Sequence, residues 1–218
     1  MNANQIKWVA ILTMFVDHIG LFLFPGIVEF RLIGRLSFPL FAWLIANGAY
    51  HTHSITKYLF RLYIFALLSE FPFLLANRLV VPNFSGLDVL CTLFLGLLAV
   101  ALIQRTTKKF YWVFITAVFA ALAQFLQTDY GGFGVCVMVI FYVFFNDFRR
   151  LAIAQTIFVF IAFFFLPTYF SGLFEPIGLL ALPLIYLYNN KPGFQTKYLF
   201  YIIYPMQYIV FYLILTKM

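Results

Sequence analysis

The sequence consists almost entirely of long apolar segments that follow one another with only short polar interruptions. A helix that spans the hydrocarbon core of a bilayer needs about 20 predominantly apolar residues. Because only short loops remain between the segments, the sequence predicts one all-α domain over residues 1–218, a polytopic transmembrane helix bundle with about nine spans. The predicted spans are residues 5–24, 34–50, 57–76, 87–104, 110–127, 131–146, 151–170, 173–189 and 198–216.

The composition excludes several common classes of protein. Of the 218 residues, 65% are hydrophobic and 10% are charged, whereas a soluble domain is about 45–50% apolar and about 25% charged. Too few polar residues are present to cover a water-soluble globule of this size. We therefore exclude a soluble enzyme, a disordered chain, a disulfide scaffold and a nucleic-acid-binding protein. Cys91 and Cys136 lie within apolar segments, where we expect two buried thiols.

The distribution of charge predicts the orientation of the spans, because cytoplasmic loops are enriched in Lys and Arg. With nine spans and a cytoplasmic N-terminus, most of the 14 basic residues face the cytoplasm and the C-terminus lies outside. Lys7 precedes an apolar run, as in a signal peptide, but no small-residue cleavage site follows, so we expect a retained first helix. The basic residues of the inner loops are Lys57, Arg61, Arg105, Lys108, Lys109, Arg149, Arg150, Lys191 and Lys197.

Asp17 and His18 are adjacent titratable residues near the outer end of the first span. Ionisable groups within a membrane usually face a cavity and a partner, because an unpaired charge is costly there. A histidine titrates near neutral pH, and a carboxylate beside it can hold its tautomer or stabilise the imidazolium. These residue types predict an acid–base site. The alternative is a polar pair that is solvated at the membrane interface.

Arg31 and Arg35 are four residues apart and share a helix face if the second helix begins early. Two guanidinium groups near a membrane surface could clamp a phosphate or a carboxylate. The alternatives are snorkelling of the side chains to the interface and ion pairs with Glu29 and Asp17.

Glu70 lies near the outer end of the third span, at the predicted depth of His18 and Arg35. We therefore expect His18, Arg35 and Glu70 to line one cavity. Asp129 precedes a glycine-rich helix start, where a carboxylate is suited to an N-cap; it is also a candidate binding residue.

No metal site is predicted from the histidines. His51 and His53 are two residues apart, so their rings diverge on a helix, and a zinc site needs three or four ligands.

Several motifs resemble those of the TraX family of membrane proteins, and the resemblance covers nearly the whole chain. The most specific blocks are Met14-Phe-Val-Asp-His-Ile-Gly20, Arg31-Leu-Ile-Gly-Arg-Leu-Ser-Phe-Pro39 and Arg61-Leu-Tyr-Ile-Phe-Ala-Leu-Leu-Ser-Glu-Phe-Pro72. Later blocks that resemble the family are residues 92–97, 129–135, 188–193 and 197–205.

The resemblance implies a multi-pass acyltransferase of the bacterial plasma membrane, since the family's best-known activity is N-terminal acetylation of conjugative pilin with acetyl-CoA as donor. The acceptor could be a pilin-like peptide, a glycan or a lipid. The implied catalytic residues are His18, Asp17, Glu70 and Arg35, with His18 as general base, and the implied binding residues are Arg31, Asp129, Lys191, Gln207 and Arg61.

One position departs from the family pattern. The family continues Tyr-Pro-x-His, whereas this chain has Tyr204-Pro205-Met206-Gln207. Glutamine can donate and accept hydrogen bonds but cannot shuttle protons. Either the family histidine is a binding group that Gln207 replaces, or the activity of this member is altered or lost.

Two other classes of function remain open at this stage. A transporter or flippase could use the same buried charges as a proton or substrate relay, although no inverted repeat is visible. A structural membrane partner without chemistry is the third class. Transfer of an acyl group from acetyl-CoA by the purified protein would separate the first class from both others.

Overall fold

The computed structural model describes residues 1–165, 175–194 and 198–217, and these residues form helices and loops without a β-strand. The α-helices are α1 (Ala3–Phe22), α2 (Val28–Gly34), α3 (Ser37–His51), α4 (Ile55–Val80), α5 (Val89–Ile103), α6 (Lys109–Phe125), α7 (Gly131–Val143), α8 (Phe148–Phe165), α9 (Ala181–Tyr186) and α10 (Leu199–Leu215). A 3-10 helix, Glu175–Leu180, precedes α9. Lys197 and parts of the predicted spans 151–170 and 173–189 lie outside the described residues.

Helical structure is present in each of the nine predicted segments, which confirms the all-α class. The second segment differs most: the helix begins at Val28 rather than residue 34 and breaks at Arg35 and Leu36, between α2 and α3. The described residues contain four stretches that are long and apolar enough to cross a membrane, namely α1, Val28–His51, α4 and α8. Nine spans with an outer C-terminus stay a prediction.

Polar side chains begin several of the helices. Asn2 and Gln5 form a capping box at the start of α1, Ser54 caps α4 and Asp88 caps α5. Such caps satisfy backbone N–H groups that have no partner within the helix. These capping hydrogen bonds matter more in an apolar environment, because no water is available there to accept a hydrogen bond from an uncapped N–H group.

The chain divides into two compact units. Unit 1 comprises Met1–Leu44 and Val143–Lys197, and within it α1 packs against α2 and the 3-10 helix packs against α8 and α9. Trp43 lies in its core, stacked on Phe145 with ring centroids 6.3 Å apart and edge-on to Tyr188 at 4.8 Å.

Unit 2 comprises Ile45–Tyr142 and Tyr198–Met218, and in it α4 packs against α5 and α10, and α5 against α6. Aromatic pairs join α4 to α10: Phe65 stacks on Tyr201 at 4.5 Å, and Phe73 meets Tyr208 edge-on at 5.3 Å. The prediction of one domain over 1–218 stays a prediction.

Candidate functional site

The first cluster of titratable residues lies in unit 1, where α1 meets α2. Arg31 Nη1 donates to Asp17 Oδ2 over 2.6 Å, and it also lies 3.5 Å from the backbone carbonyl oxygen of Asp17. The side chains of Arg31 and Asp17 are 27% and 19% exposed. The ion pair with Asp17, one of the alternatives for Arg31, is therefore the observed contact, and it is largely shielded from water.

Two glycines permit this close contact. A Cβ on Gly34 would lie 2.1 Å from Asp17 Oδ1, and a Cβ on Gly20 would lie 2.5 Å from Phe30 Cβ. Both distances are shorter than real Cβ contacts allow, so larger residues would push α1 and α2 apart. Because these glycines have no side chain, Asp17 can lie against α2 and within reach of Arg31.

His18 and Arg35 flank the ion pair along the chain. His18 follows Asp17 on α1, and Arg35 is the C-cap residue of α2. Both side chains are half-buried, and His18 Nδ1 and Arg35 Nε are buried atoms. Unit 1 therefore carries a histidine and two guanidinium groups on the helix pair that the Asp17–Arg31 contact holds together.

The second cluster lies in unit 2 and involves α4 and the residue that caps α5. Ser69 Oγ donates to Asp88 Oδ2 in a short hydrogen bond, and the backbone N–H of Asp88 donates to Glu70 Oε2 over 3.1 Å. Asp88 Oδ1 accepts from the backbone N–H of Cys91 over 3.1 Å. Two consecutive residues of α4 thus hold one residue that lies 18 or 19 positions further along the chain.

Asp88 is completely buried and is the site residue that sequence reasoning missed. It precedes α5, and both of its carboxylate oxygens accept hydrogen bonds, from Ser69 Oγ and from the backbone N–H of Cys91. These bonds offset part of the cost of burying the carboxylate. The sequence signal that could have identified Asp88 is its position immediately before an apolar segment, as expected of an N-cap.

The ligand-type atoms of Glu70, Asp88 and Cys91 lie within 4.8 Å of one another. Two carboxylates and a thiolate could in principle bind a divalent metal. Here both oxygens of Asp88 accept hydrogen bonds from the protein, and Cys91 Sγ lies 3.8 Å from Glu70 Oε2 as a donor. These contacts serve the protein itself, and we assign no metal to them.

Asp129 and Arg61 occupy separate places in unit 2. Asp129 is exposed, and its Oδ1 accepts from the N–H of Tyr130 over 3.1 Å, immediately before α7. The backbone N–H of Asp129 donates to the carbonyl oxygen of Leu87 over 2.8 Å, and this hydrogen bond fixes the backbone at Asp129. Arg61 lies 5.6 Å from the ring centroid of Tyr58 and hydrogen-bonds to Tyr201.

Gln207 is only 2% exposed. Its neighbours along α10, Tyr204 and Tyr208, are also buried, and their hydroxyl oxygens lie 3.3 Å apart. The position where the family pattern has a histidine therefore lies in the interior of unit 2.

Lys191 contributes through its backbone. The carbonyl groups of Lys191 and Pro192 accept the N–H groups of Ala3 (2.9 Å) and Asn4 (3.2 Å) at the start of α1. Gly193 has a φ of +70°, and a Cβ there would lie 2.6 Å from atoms of the Asn2 side chain. We name residues 188–193 the α1 clasp. The Lys191 side chain is exposed. The role of its ammonium group in holding a phosphate stays a prediction.

The structure thus brings Asp17 and Arg31 into contact and places His18 and Arg35 in the same unit. Glu70, Asp129, Gln207 and Arg61 belong to unit 2, and the prediction that His18, Arg35 and Glu70 share one cavity stays a prediction. Among the inner basic residues, exposed side chains are seen at Lys57, Arg105, Lys108, Lys109, Arg149 and Arg150.

Comparison with known proteins adds evidence on relatedness. The model of the TraX protein family matches residues 2–215. The probable fimbrial assembly protein FimC, serogroup H1, of Dichelobacter nodosus is 30% identical over 94% of this chain and 92% of its own length. A protein of Rickettsia prowazekii (strain Madrid E), described as uncharacterized, is 22% identical over 64% of this chain and 54% of its own length. No solved structure matches the chain.

Proposed function

The chain belongs to the TraX protein family, and on that basis we propose that it is an integral membrane acyltransferase of the bacterial plasma membrane. The reaction proposed is transfer of an acetyl group from acetyl-CoA to the N-terminal amine of a pilin-like peptide. The observation that carries the proposal is the family match over residues 2–215. The similarity to a protein named for fimbrial assembly supports a fimbrial or pilin subunit as the acceptor.

His18 is the general base of the proposed reaction. The neutral amine of the acceptor attacks the thioester carbonyl carbon, and a C–N bond forms while His18 takes the amine proton. The C–S bond then breaks, and the CoA sulfur leaves with the electron pair and takes up a proton from the imidazolium. A histidine is suited to both transfers because its ordinary pKa lies near neutral pH. An acyl-histidine intermediate would use the same residue as nucleophile.

The guanidinium groups of unit 1 have separate tasks in this proposal. The ion pair between Arg31 and Asp17, at 2.6 Å, ties α2 to α1 and thereby fixes Arg35 relative to His18. Arg35 stabilises the negative charge that develops on the thioester oxygen, because a fixed cation in a water-poor site stabilises such charge strongly. In this proposal the main task of Asp17 is therefore to hold Arg31 through the ion pair.

The donor is held from the side of the basic loops. Lys191 of unit 1 is the residue that we assign to the phosphates of acetyl-CoA, and Arg61 of unit 2 is a separate candidate for the same role. Lys191 presents an exposed ammonium group next to a backbone segment that is fixed to α1. Arg61 is held over Tyr58 and against Tyr201, which limits the freedom of its guanidinium group.

The test is an acetyl-transfer assay with the purified full chain in detergent. Acetyl-CoA is supplied with a peptide that has a free N-terminal amine, and free CoA and the mass of the peptide are followed together. We expect release of CoA and addition of one acetyl group to the peptide. A peptide with a blocked N-terminus and an internal lysine is the control for the amine that is modified, and glycan and lipid acceptors are tested in parallel.

His18→Ala is expected to reduce transfer by roughly 10²–10⁴-fold, the usual contribution of general acid–base catalysis. The matched control is His53→Ala, because His53 is exposed and lies in the loop between α3 and α4. Full activity of His18→Ala would refute the assigned base. A wild-type protein that binds acetyl-CoA but transfers to none of the acceptors would refute the proposed function.

A further inference from the structure

We propose that a basic surface at one end of unit 2 binds the phosphate groups of anionic phospholipids such as phosphatidylglycerol, and thereby fixes this end of the unit at the level of the lipid headgroups. The basic surface consists of the exposed side chains of Lys57, Arg105, Lys108 and Lys109. The inference does not depend on the proposed acyl transfer, and it uses contacts within unit 2 alone.

The first argument is that the two chain segments carrying the basic surface lie at the same end of unit 2. The end of α3 contacts the start of α4, because a Cβ on Gly48 would lie 2.9 Å from the hydroxyl oxygen of Tyr58. It also contacts the end of α5, since Gln104 Nε2 donates to the carbonyl oxygen of Ala49 over 3.1 Å. The residues that precede Tyr58 and follow Gln104 in the chain belong to the basic surface.

The second argument is the separation of charge within unit 2, whose acidic side chains are Glu70, Asp88 and Asp129. Glu70 lies more than three turns beyond Lys57 along α4, which is about 20 Å. Asp88 contacts Glu70, and Asp129 contacts Leu87, so the other two carboxylates belong to the same far end. The basic surface is therefore remote from every acidic side chain of its unit.

The cations of the basic surface consequently have no counter-charge in the protein. Within residues 1–165, 175–194 and 198–217, none of the four side chains makes an ion pair or a hydrogen bond. Like charges at one end of a unit repel one another, and an anionic partner replaces this repulsion by attraction. Charge complementarity thus favours a partner that presents negative charge across the whole surface.

The third argument favours a lipid as the source of that charge. Directly after the basic surface, α6 exposes more than half of the side chains of Phe110, Val113 and Phe114. Trp112 Nε1 donates to the carbonyl oxygen of Thr106 over 3.1 Å, so the loop that carries the cations is held by a residue type enriched at membrane interfaces. A phospholipid presents a phosphate next to apolar chains, and this arrangement matches cations that lie next to an apolar helix face.

The electrostatic part of the interaction has a predictable size. Each Lys or Arg near an anionic membrane surface contributes about fivefold in affinity. The attraction is screened by salt, because the Debye length falls from about 10 Å at 0.1 M to about 3 Å at 1 M ionic strength. We therefore expect a preference for phosphatidylglycerol over phosphatidylcholine that decreases as salt is raised.

The experiment measures quenching of Trp112 fluorescence by brominated lipids. The full chain with Trp8→Phe is reconstituted in phosphatidylcholine vesicles that contain increasing fractions of brominated phosphatidylglycerol or brominated phosphatidylcholine. Trp43 is only 2% exposed, so Trp112 is the tryptophan that the bromine atoms can reach. We expect brominated phosphatidylglycerol to reach half-maximal quenching at a fraction at least about fivefold lower than brominated phosphatidylcholine.

The variants test whether charge at the basic surface causes this preference. Lys108→Ala with Lys109→Ala is expected to bring the two lipids within about twofold of each other. Lys108→Arg with Lys109→Arg keeps the charge and is expected to keep the preference.

Lys217→Ala is the control at the opposite end of the unit. Its side chain is exposed, and it lies at the far end because α4 and α10 run parallel, with Phe65 against Tyr201 and Phe73 against Tyr208. We expect this variant to quench like the parent protein. If the double alanine variant does not fold, Arg105→Ala takes its place, with the same direction of change expected.

A soluble phosphate is the alternative source of the same chemistry. The titrations are therefore repeated with inorganic phosphate and with CoA at constant ionic strength, and we expect no change in the preference. Its removal by either compound would assign the surface to a soluble anion and overturn the lipid site. Equal quenching by the two lipids in the parent protein, or a preference that the alanine variants retain, would also overturn it. None of these outcomes bears on the proposed acyl transfer.

Discussion

Gly34 determines how closely the Asp17 carboxylate can approach α2. Alanine is a better helix former than glycine by about 1 kcal/mol, so Gly34→Ala would stabilise an isolated helix. In the protein its Cβ would lie 2.1 Å from Asp17 Oδ1. We expect the clash to dominate and to lower the stability by about 1–3 kcal/mol, as overpacking does. Because the ion pair moves with α2, acetyl transfer should fall as well. Thermal unfolding in detergent and the transfer assay measure the two effects.

Gly26→Ala is the control, because a Cβ at Gly26 would have no heavy atom within 4 Å. Its effect on stability is expected to stay within about 0.5 kcal/mol. A Gly34→Ala protein as stable and active as Gly26→Ala would show that the close approach of Asp17 to α2 is not required.

At the scale of single residues, sequence reasoning identified the charged groups but not all of their contacts. Asp17, His18, Arg31 and Arg35 were identified because charges in apolar segments are costly and therefore conspicuous. The position of Asp88 before an apolar segment indicates an N-cap, but its contact with Ser69 of another helix is not contained in any local pattern, and Asp88 was therefore missed as a site residue. The same holds for Gly34, whose role appears only when α1 and α2 are packed.

At the scale of helices, substitutions in the α1 clasp can distinguish the role of its backbone, which binds the start of α1, from the role of the Lys191 side chain. Gly193→Ala places an L-residue at a φ of +70° and a Cβ 2.6 Å from the Asn2 side chain. The left-handed conformation alone costs about 1–2 kcal/mol. We therefore expect Gly193→Ala to lower the midpoint of thermal unfolding and to loosen the first turn of α1, which hydrogen exchange at Ala3 and Asn4 would detect.

Lys191→Ala is the complementary variant, since Lys191 accepts the hydrogen bond from α1 with its backbone carbonyl and its side chain is exposed. It should leave the unfolding midpoint unchanged and raise the KM for acetyl-CoA. The reverse pattern, with Lys191→Ala unstable and Gly193→Ala unaffected, would contradict the clasp.

The helices themselves were predictable to a large extent from hydropathy. The N-cap residues Ser54 and Asp88 and the apolar runs that follow them place α4 and α5 within a few residues of the predicted segments. The break between α2 and α3 was not predicted, although Gly34 directly precedes it and Pro39 lies in the first turn of α3. The sequence indicates an early start of α2 only as the condition under which Arg31 and Arg35 share a helix face.

At the scale of the whole molecule, the number of candidate spans depends on helix length: four helical stretches of the described residues are long enough to cross a membrane, and the other apolar helices are shorter. At 1.5 Å per residue, the 17 residues of α6 or α10 extend about 26 Å and the 13 residues of α7 about 20 Å. The hydrocarbon core is about 30 Å thick. A short apolar helix can cross it where the bilayer thins or flanking residues snorkel, so length alone does not decide the topology, and the charges of the loops provide the independent argument.

The number of spans can be tested with reporter fusions, because the two counts place the same loops on opposite sides. With a cytoplasmic N-terminus, nine spans place Thr107 inside and the C-terminus outside. Spans at α1, Val28–His51, α4 and α8 alone would place Thr107 outside and the C-terminus inside. Thr52 follows two spans in both cases and is therefore a control that stays inside.

We expect alkaline phosphatase to be active when it is fused at the C-terminus and inactive at Thr107 and Thr52, with green fluorescence showing the opposite pattern. The physical reason is the positive-inside rule: Arg105, Lys108 and Lys109 flank the loop at Thr107 and favour the cytoplasmic side. An active phosphatase at Thr107 together with an inactive one at the C-terminus would establish four spans. The short helices α5, α6, α7 and α10 would then not cross the membrane, and the Asp88–Glu70 contact would lie at the outer end of α4 without a following span at α5.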